Sequence, residues 1–93
     1  MKETVRFRSV VEPWKPGATG GLMIAEIPDR EVLLLGGLKQ MRVTGTINGA
    51  AFTSNTMPRG GRRLALGVSR AMMTAARVSP GDAIEVEMAR AEP

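Results

Sequence analysis

An Asn48-Gly49 dipeptide between two alternating segments constrains the fold of this 93-residue chain more than any other feature. Both central positions of a type I′ turn need a positive φ, so this pair predicts a two-residue β-hairpin. Residues 40–48 alternate between apolar and polar side chains before the turn, and residues 50–57 form the predicted return strand. The chain is therefore expected to contain this antiparallel strand pair.

Four further segments are predicted to be strands. Each has apolar alternation or a short apolar run bounded by proline, glycine or polar residues, which is typical of strands in a small β domain. They are residues 4–12, residues 22–27, residues 63–68 and the segment that carries Ile84, Val86 and Met88.

Two short helices are predicted between these strands. Asp29 is expected to cap one of them, which ends at Gly36-Gly37, and Ser69 is expected to cap another over about residues 70–77. An apolar stripe is predicted on the second helix, formed by Val68, Ala71, Met72 and Ala75.

Six strands and two short helices make the chain mainly β, most simply a closed or nearly closed barrel in one domain over residues 1–93. The order strand, short helix, turn and strand occurs at about 22–47 and again at 63–88, which suggests a pseudo-two-fold barrel. A barrel completed within one chain needs no domain swapping, so we expect a monomer or a weak dimer.

The absence of cysteine and histidine limits the chemistry that this chain can perform. The chain has no cysteine and no histidine, which removes disulfides, thiolate metal sites and the commonest acid–base side chain. Glu85 and Glu87 share a strand face that is expected to be solvated, and no nucleophile–base pair is recognisable. We therefore expect a non-enzymatic protein without catalytic residues, metal or cofactor.

No run approaches the roughly 20 apolar residues of a membrane span, which favours a cytoplasmic protein with no membrane partner.

The charge distribution favours an anionic partner. All nine acidic residues lie in residues 1–31 or 82–93, whereas residues 32–81 contain seven basic residues and no acid. Such an asymmetry indicates a basic surface for nucleic acid or another anion. An ordinary solvated surface of a mildly basic protein is the alternative.

The segment Pro58–Arg63 is the leading candidate for a binding site, and residues 58–62 are interpreted as a loop. Its glycines allow a ligand to approach the backbone, and its arginines offer planar donors to phosphate or carboxylate. A plain connector is the alternative interpretation. The candidate ligand-binding residues here and on the second helix are Arg59, Gly60, Gly61, Arg62, Arg63 and Arg70.

Trp14 and Lys15 form a second candidate site, which could stack on a base or another planar group. A lone tryptophan beside prolines more often packs over the end of a core. A protein-interaction module that uses the Trp14 loop or a barrel edge is therefore the alternative to anion binding.

The order and spacing of several motifs resemble a bacterial family of domains of unknown function, family nineteen-oh-five. The motifs are Val43-Thr-Gly-Thr-Ile-Asn-Gly49, the basic segment 58–63, Leu64-x-Leu-x-Val-Ser-Arg70 and Gly81-Asp82. The resemblance implies a double-split β-barrel like that of the AbrB/MazE transcription factors, completed here within one chain. It also implies relatives that are joined to a YdeI/OmpD-associated, bacteriocin-protection-like domain. The family has no established activity, so the resemblance implies no catalytic residue, and its link to DNA binders is an analogy of fold.

Overall fold

The computed structural model describes residues 4–18 and 21–91, which contain six strands and two helices. The elements are β1 (Val5–Pro13), β2 (Met23–Ile27), α1 (Asp29–Leu35), β3 (Arg42–Ile47), β4 (Ala50–Gly60), β5 (Arg63–Val68), α2 (Arg70–Ala76) and β6 (Ala83–Arg90). Neighbouring strands are antiparallel, and the order β1-β2-β5-β4-β3-β6 closes into a barrel. The predicted mainly β barrel with two short helices is confirmed.

The barrel interior is filled by the apolar members of the alternating strands. In β6, Ile84, Val86 and Met88 are at most 2% exposed, whereas Glu85 and Glu87 between them are exposed. Burying an aliphatic side chain of this size contributes about 1.5–3 kcal/mol, so this alternation fixes which face of each strand points inward.

The Asn48-Gly49 hairpin is confirmed. Asn48 and Gly49 have φ of 49° and 86°, and Ile47 pairs with Ala50 across the turn. The turn is also bound to β6, because Asn48 Oδ1 accepts a hydrogen bond from the Glu85 N–H at 2.8 Å and the Asn48 N–H donates to the Glu85 carbonyl at 2.9 Å.

The helix caps agree with the sequence in one case and differ in the other. Ser69 Oγ accepts a hydrogen bond from the Met72 N–H at 3.1 Å, which confirms the predicted cap of α2. The prediction that Asp29 caps α1 is wrong, because α1 begins at Asp29 itself and the extended Pro28 precedes it as the N-cap residue. Asp29 instead places a carboxylate in the first turn, where the helix dipole stabilises it. Neither helix within residues 4–18 and 21–91 is long and apolar enough to cross a membrane.

The apolar stripe predicted on α2 is wrong in two positions. Ala71 and Ala75 are exposed, and the helix packs on the core through Met72, Met73 and Ala76. The chain is still extended at Ser69 (φ −78°, ψ 164°), so Val68 lies in the strand and not on the helix. A helical spacing counted from Val68 therefore does not predict which face of α2 points to the core.

The strand pairing repeats with a two-fold pattern. α1 and α2 have the same length and are offset by 41 positions, from 29 to 70. Phe7 of β1 pairs with Val86 of β6, and Phe52 of β4 pairs with Gly45 of β3. Gly45 and Val86 are also 41 positions apart, so β1 and β4 are equivalent strands in the two halves. The repeated order seen in the sequence therefore corresponds to two halves that pair in the same way.

The equivalent strands β1 and β4 each separate from a neighbour along part of their length. The β1–β2 pairing is confined to residues 11–13 of β1, and the β4–β5 pairing begins at Thr56. α1 packs against β1 and α2 packs against β4. The helices therefore lie beside the two partly unpaired strands, and the ends of β1 and β4 pass close to β2 and β5.

Candidate anion-binding site

The loop predicted over residues 58–62 is shorter in the structure. Pro58–Gly60 are the last residues of β4, and Gly61 and Arg62 alone form the turn to β5. The prediction is wrong for these first three residues because β4 continues to pair with β5 as far as Gly60 opposite Arg63. Gly61 and Arg62 have φ of 59° and 62°, as a two-residue type I′ hairpin requires.

A β-bulge in β4 determines the position of Arg59. Pro58 lies opposite Leu64 and Gly60 lies opposite Arg63, which leaves Arg59 as the extra residue of β4. An extra residue of this kind bends a strand and redirects its side chain. The Arg59 side chain lies beside Trp14 and Glu26 and is only 10% exposed.

Trp14 is in contact with Arg59. The guanidinium carbon of Arg59 lies 5.5 Å from the centroid of the Trp14 ring, which is a cation–π distance, and Arg59 Nη2 donates to the Trp14 carbonyl at 3.5 Å. The backbone of Trp14 is held by its N–H, which donates to the Leu22 carbonyl at 2.8 Å. One face of the tryptophan ring is therefore covered by a guanidinium.

Glu26 joins two of the predicted arginines. Its Oε1 atom accepts hydrogen bonds from Arg59 Nη1 at 3.0 Å, from Arg63 Nε at 3.0 Å and from Arg63 Nη2. Glu26 lies on β2 opposite Ala65, with 34% of its side chain exposed, and Arg63 is 50% exposed. The three charged groups form one cluster on the outside of the barrel.

Glu26 was not among the residues predicted from the sequence. It is the one charged residue in the segment 22–27, and Ala25 and Ile27 on either side of it are buried. A period of two therefore predicts that Glu26 faces outward. That signal indicates an exposed acid, but it does not identify the arginines that bind it.

The arginines shift the ionisation of Glu26. The hydrogen bond from Arg63 is the largest effect and holds the pKa of Glu26 below its ordinary 4.5, while burial opposes it and the charges of Arg63 and Arg59 add to it. The same hydrogen bond raises the pKa of Arg63. Glu26 and Arg63 are therefore both charged at neutral pH.

We expect Glu26 to make the free energy of unfolding depend on pH in the acidic range. Because its pKa is lowered by folding, its contribution is fully present above the unfolded value of 4.5 and is lost as pH falls through the folded pKa. Glu26→Gln should flatten this part of the pH dependence, measured by urea denaturation from about pH 7 to about pH 3.

Glu87→Gln is the matched control for the pH experiment. It removes a carboxylate that lies 3.2 Å from Arg6 on another face, where both side chains are largely exposed. Equal flattening in the two variants would contradict a specific role of Glu26.

Of the other candidate residues, two lie next in sequence to a residue of this cluster or to Trp14, and one lies far from them. Arg62 lies in the turn next to Arg63, is exposed, and forms no ion pair within the described residues. Lys15 follows Trp14 and is exposed. Arg70 lies beyond the other end of β5, roughly 20 Å along the chain from Arg63 at the rise of a strand. It lines a separate groove there with Leu22 and Met73.

Glu85 and Glu87 lie on a neutralised face of the barrel. Arg8 Nη2 lies 3.0 Å from Glu85 Oε1, and Arg6 Nη2 lies 3.2 Å from Glu87 Oε2, each across the β1–β6 pairing. Each carboxylate thus has a cross-strand arginine partner, which accounts for both residues as parts of a solvated sheet surface.

A family model described as "Domain of unknown function (DUF1905)" matches residues 7–88. No curated protein matches the chain. The matched range begins in β1 and ends in β6, so it includes the β4–β5 hairpin and Glu26. This chain therefore belongs to the DUF1905 family of domains of unknown function.

Proposed function

We propose that this protein is a non-enzymatic binding module that contacts an anionic ligand, in the first instance nucleic acid, through the β4–β5 hairpin. The observation that carries the proposal is the charge of the hairpin and its neighbours. Arg59, Arg62 and Arg63 lie close along the chain. Glu26 is hydrogen-bonded to Arg59 and Arg63, and the charge of Glu12 also acts on Arg63. The cluster therefore keeps an excess of positive charge on one outer surface.

The contacts of Arg59 and Arg63 hold them in position before a ligand arrives. A guanidinium has five N–H donors in a fixed plane. Arg63 uses Nε and Nη2 on Glu26, which leaves Nη1 available to a second acceptor. Side chains that are already ordered lose less conformational entropy on binding, and this supports a role in recognition.

Arg62 is an exposed cation of the hairpin that forms no ion pair within residues 4–18 and 21–91. It has a φ of 62°, a conformation that costs a residue other than glycine about 1 kcal/mol or more. Glycine would suit the turn better, so the arginine at this position is not explained by folding. Arg77 has a similar φ of 58°, so Arg62 is distinguished by its place next to Arg63 in the basic hairpin, which supports a contact with a ligand.

Binding should depend on Arg62 and on salt. We expect the protein to bind mixed-sequence single-stranded DNA and RNA, measured by fluorescence anisotropy. With two or three phosphate contacts, affinity should fall roughly tenfold when salt rises from about 50 mM to about 200 mM. Arg62→Gly should weaken binding several-fold while raising the free energy of unfolding by about 0.5–1 kcal/mol, because glycine accepts a positive φ.

Arg77→Gly is the matched control for this experiment. Arg77 has a φ of 58° at the end of α2, so its replacement by glycine removes the same charge and relieves the same strain outside the hairpin. It should bind nucleic acid nearly as well as the wild type. The proposal fails if there is no binding at low salt, if binding ignores salt, or if the two variants lose affinity equally.

The protein-interaction alternative has less support in the fold. Every strand has two paired neighbours over at least part of its length, and α1 and α2 pack against the partly unpaired β1 and β4. Arg59 covers one face of Trp14. A Trp14→Ala variant tests it directly. Loss of a protein partner in this variant but not in Arg62→Gly would favour the alternative.

A further inference from the structure

We infer that Arg59 and Arg63 form a subsite for a phosphate group that the protein's own Glu26 carboxylate occupies in the free state. The inference rests on the proposed function of the hairpin and goes one step further. Glu26 is an internal competitor, and a ligand phosphate must displace it to reach both arginines.

The hydrogen bonds of Glu26 resemble those of a bound anion. All three converge on Oε1, and Oε2 accepts no hydrogen bond within residues 4–18 and 21–91. An arginine–carboxylate pair at its best uses two parallel hydrogen bonds to two oxygens. Here two guanidiniums instead point at one oxygen, which is also how they can hold a single phosphate oxygen.

The arginines can keep their places when the carboxylate leaves. Arg59 is held independently by the ring and the carbonyl of Trp14, at 5.5 Å and 3.5 Å. Arg63 begins β5 and pairs with Gly60 across the hairpin. The position of Arg59 therefore does not depend on Glu26, whereas the Arg63 guanidinium passes from Glu26 to the phosphate while its backbone stays fixed.

Glu26 and Arg63 are partly exposed to solvent, so a ligand can reach them. Glu26 is 34% exposed and Arg63 is 50% exposed, while Arg59 below them is 10% exposed. Arg62 directly precedes Arg63 in the chain, so a ligand that contacts Arg62 comes close to the subsite. Displacing Glu26 would free the donors Arg59 Nη1 and Arg63 Nε and Nη2 for the phosphate.

Glu26→Gln tests the inference because glutamine keeps the size and one oxygen acceptor of glutamate but carries no charge. We expect this variant to bind a fluorescein-labelled single-stranded DNA dodecamer about tenfold more tightly at low salt, the effect of one charge-assisted hydrogen bond. The slope of log affinity against log salt should become steeper by about 0.7 for each additional phosphate contact.

Glu87→Gln is the control, since it makes the same change of net charge at a carboxylate paired with Arg6 on another face. Its affinity should rise clearly less than that of Glu26→Gln, because Glu87 is paired with Arg6 and not with an arginine of the subsite. Competition by inorganic pyrophosphate, compared between wild type and Glu26→Gln, shows whether the subsite accepts a free phosphate as well as one within a nucleic acid. Urea denaturation at neutral pH confirms that each variant is folded.

The outcomes separate the two proposals. If Arg62-dependent binding is present but Glu26→Gln is no tighter than the wild type, the internal competitor is wrong and the binding function stands. Equal gains in Glu26→Gln and Glu87→Gln also overturn it, because the effect is then general electrostatics. If neither the wild type nor Glu26→Gln binds the dodecamer at low salt, the proposed function fails and the subsite fails with it.

Discussion

Gly45→Ala should destabilise the protein by about 3 kcal/mol or more, beyond the usual range of a single surface substitution. A Cβ atom at this position would lie 1.9 Å from the Glu87 carbonyl oxygen and 2.6 Å from the Met88 Cα atom. Both are backbone atoms of β6, which is paired with β1 on one side and β3 on the other. The barrel must deform to admit one methyl group.

This loss should be visible in both chemical and thermal denaturation. A change of this size lowers Tm by roughly 12 °C or more in a domain of this length. Gly67→Ala is the matched control, because Gly67 also lies in a strand but its Cβ would meet the side-chain atoms Met57 Cε at 3.3 Å and Ser54 Oγ at 3.4 Å. Side-chain ends can move, so Gly67→Ala should change stability by less than about 1 kcal/mol. Similar losses in the two variants would contradict the close approach of β3 and β6.

Thr56→Val is expected to cost about 2–4 kcal/mol, although valine has nearly the same shape as threonine. Thr56 is fully buried, and its hydroxyl accepts a hydrogen bond from the Met41 N–H and donates one to the Lys39 carbonyl, each at 2.9 Å. Valine removes the hydroxyl and leaves both backbone groups without this partner. Val11 occupies the equivalent position in the other half of the barrel and is also fully buried, so the site itself accepts valine.

Thr56→Ser isolates the contribution of the hydroxyl. Serine keeps both hydrogen bonds and loses one methyl group, which should cost about 1 kcal/mol. Urea denaturation of the two variants measures the difference directly. If Thr56→Val is as stable as Thr56→Ser, the segment at Lys39 and Met41 does not need the hydroxyl.

The strands and the first hairpin could be predicted because their causes are local. The positive φ that Asn48 and Gly49 accept is a property of those two residues, and the alternation of Ile84, Val86 and Met88 needs only neighbours two positions apart. The Ser69 cap was predicted for the same reason, since its hydrogen bond spans three residues. The rotation of α2 was missed because it depends on how the helix meets the barrel.

The candidate site could be predicted only in part. The sequence indicated the arginines of the hairpin and Trp14, but not that Arg59 lies over Trp14 or that Glu26 binds Arg59 and Arg63. Glu26 and Arg59 are 33 positions apart, and a β-bulge determines where the Arg59 side chain points. No periodicity within one segment contains that information.

The sequence by itself thus determined the strands, the type I′ turn and the arginine-rich composition of the hairpin, because backbone preference and side-chain alternation act over a few residues. The tertiary structure alone decided which charges meet. Closure of the barrel brings the ends of β1 and β4 close to β2 and β5, so that Glu26 neutralises part of the basic segment while Arg62 stays exposed. Electrostatic interactions depend on distance in space, and that distance is set by strand order and register.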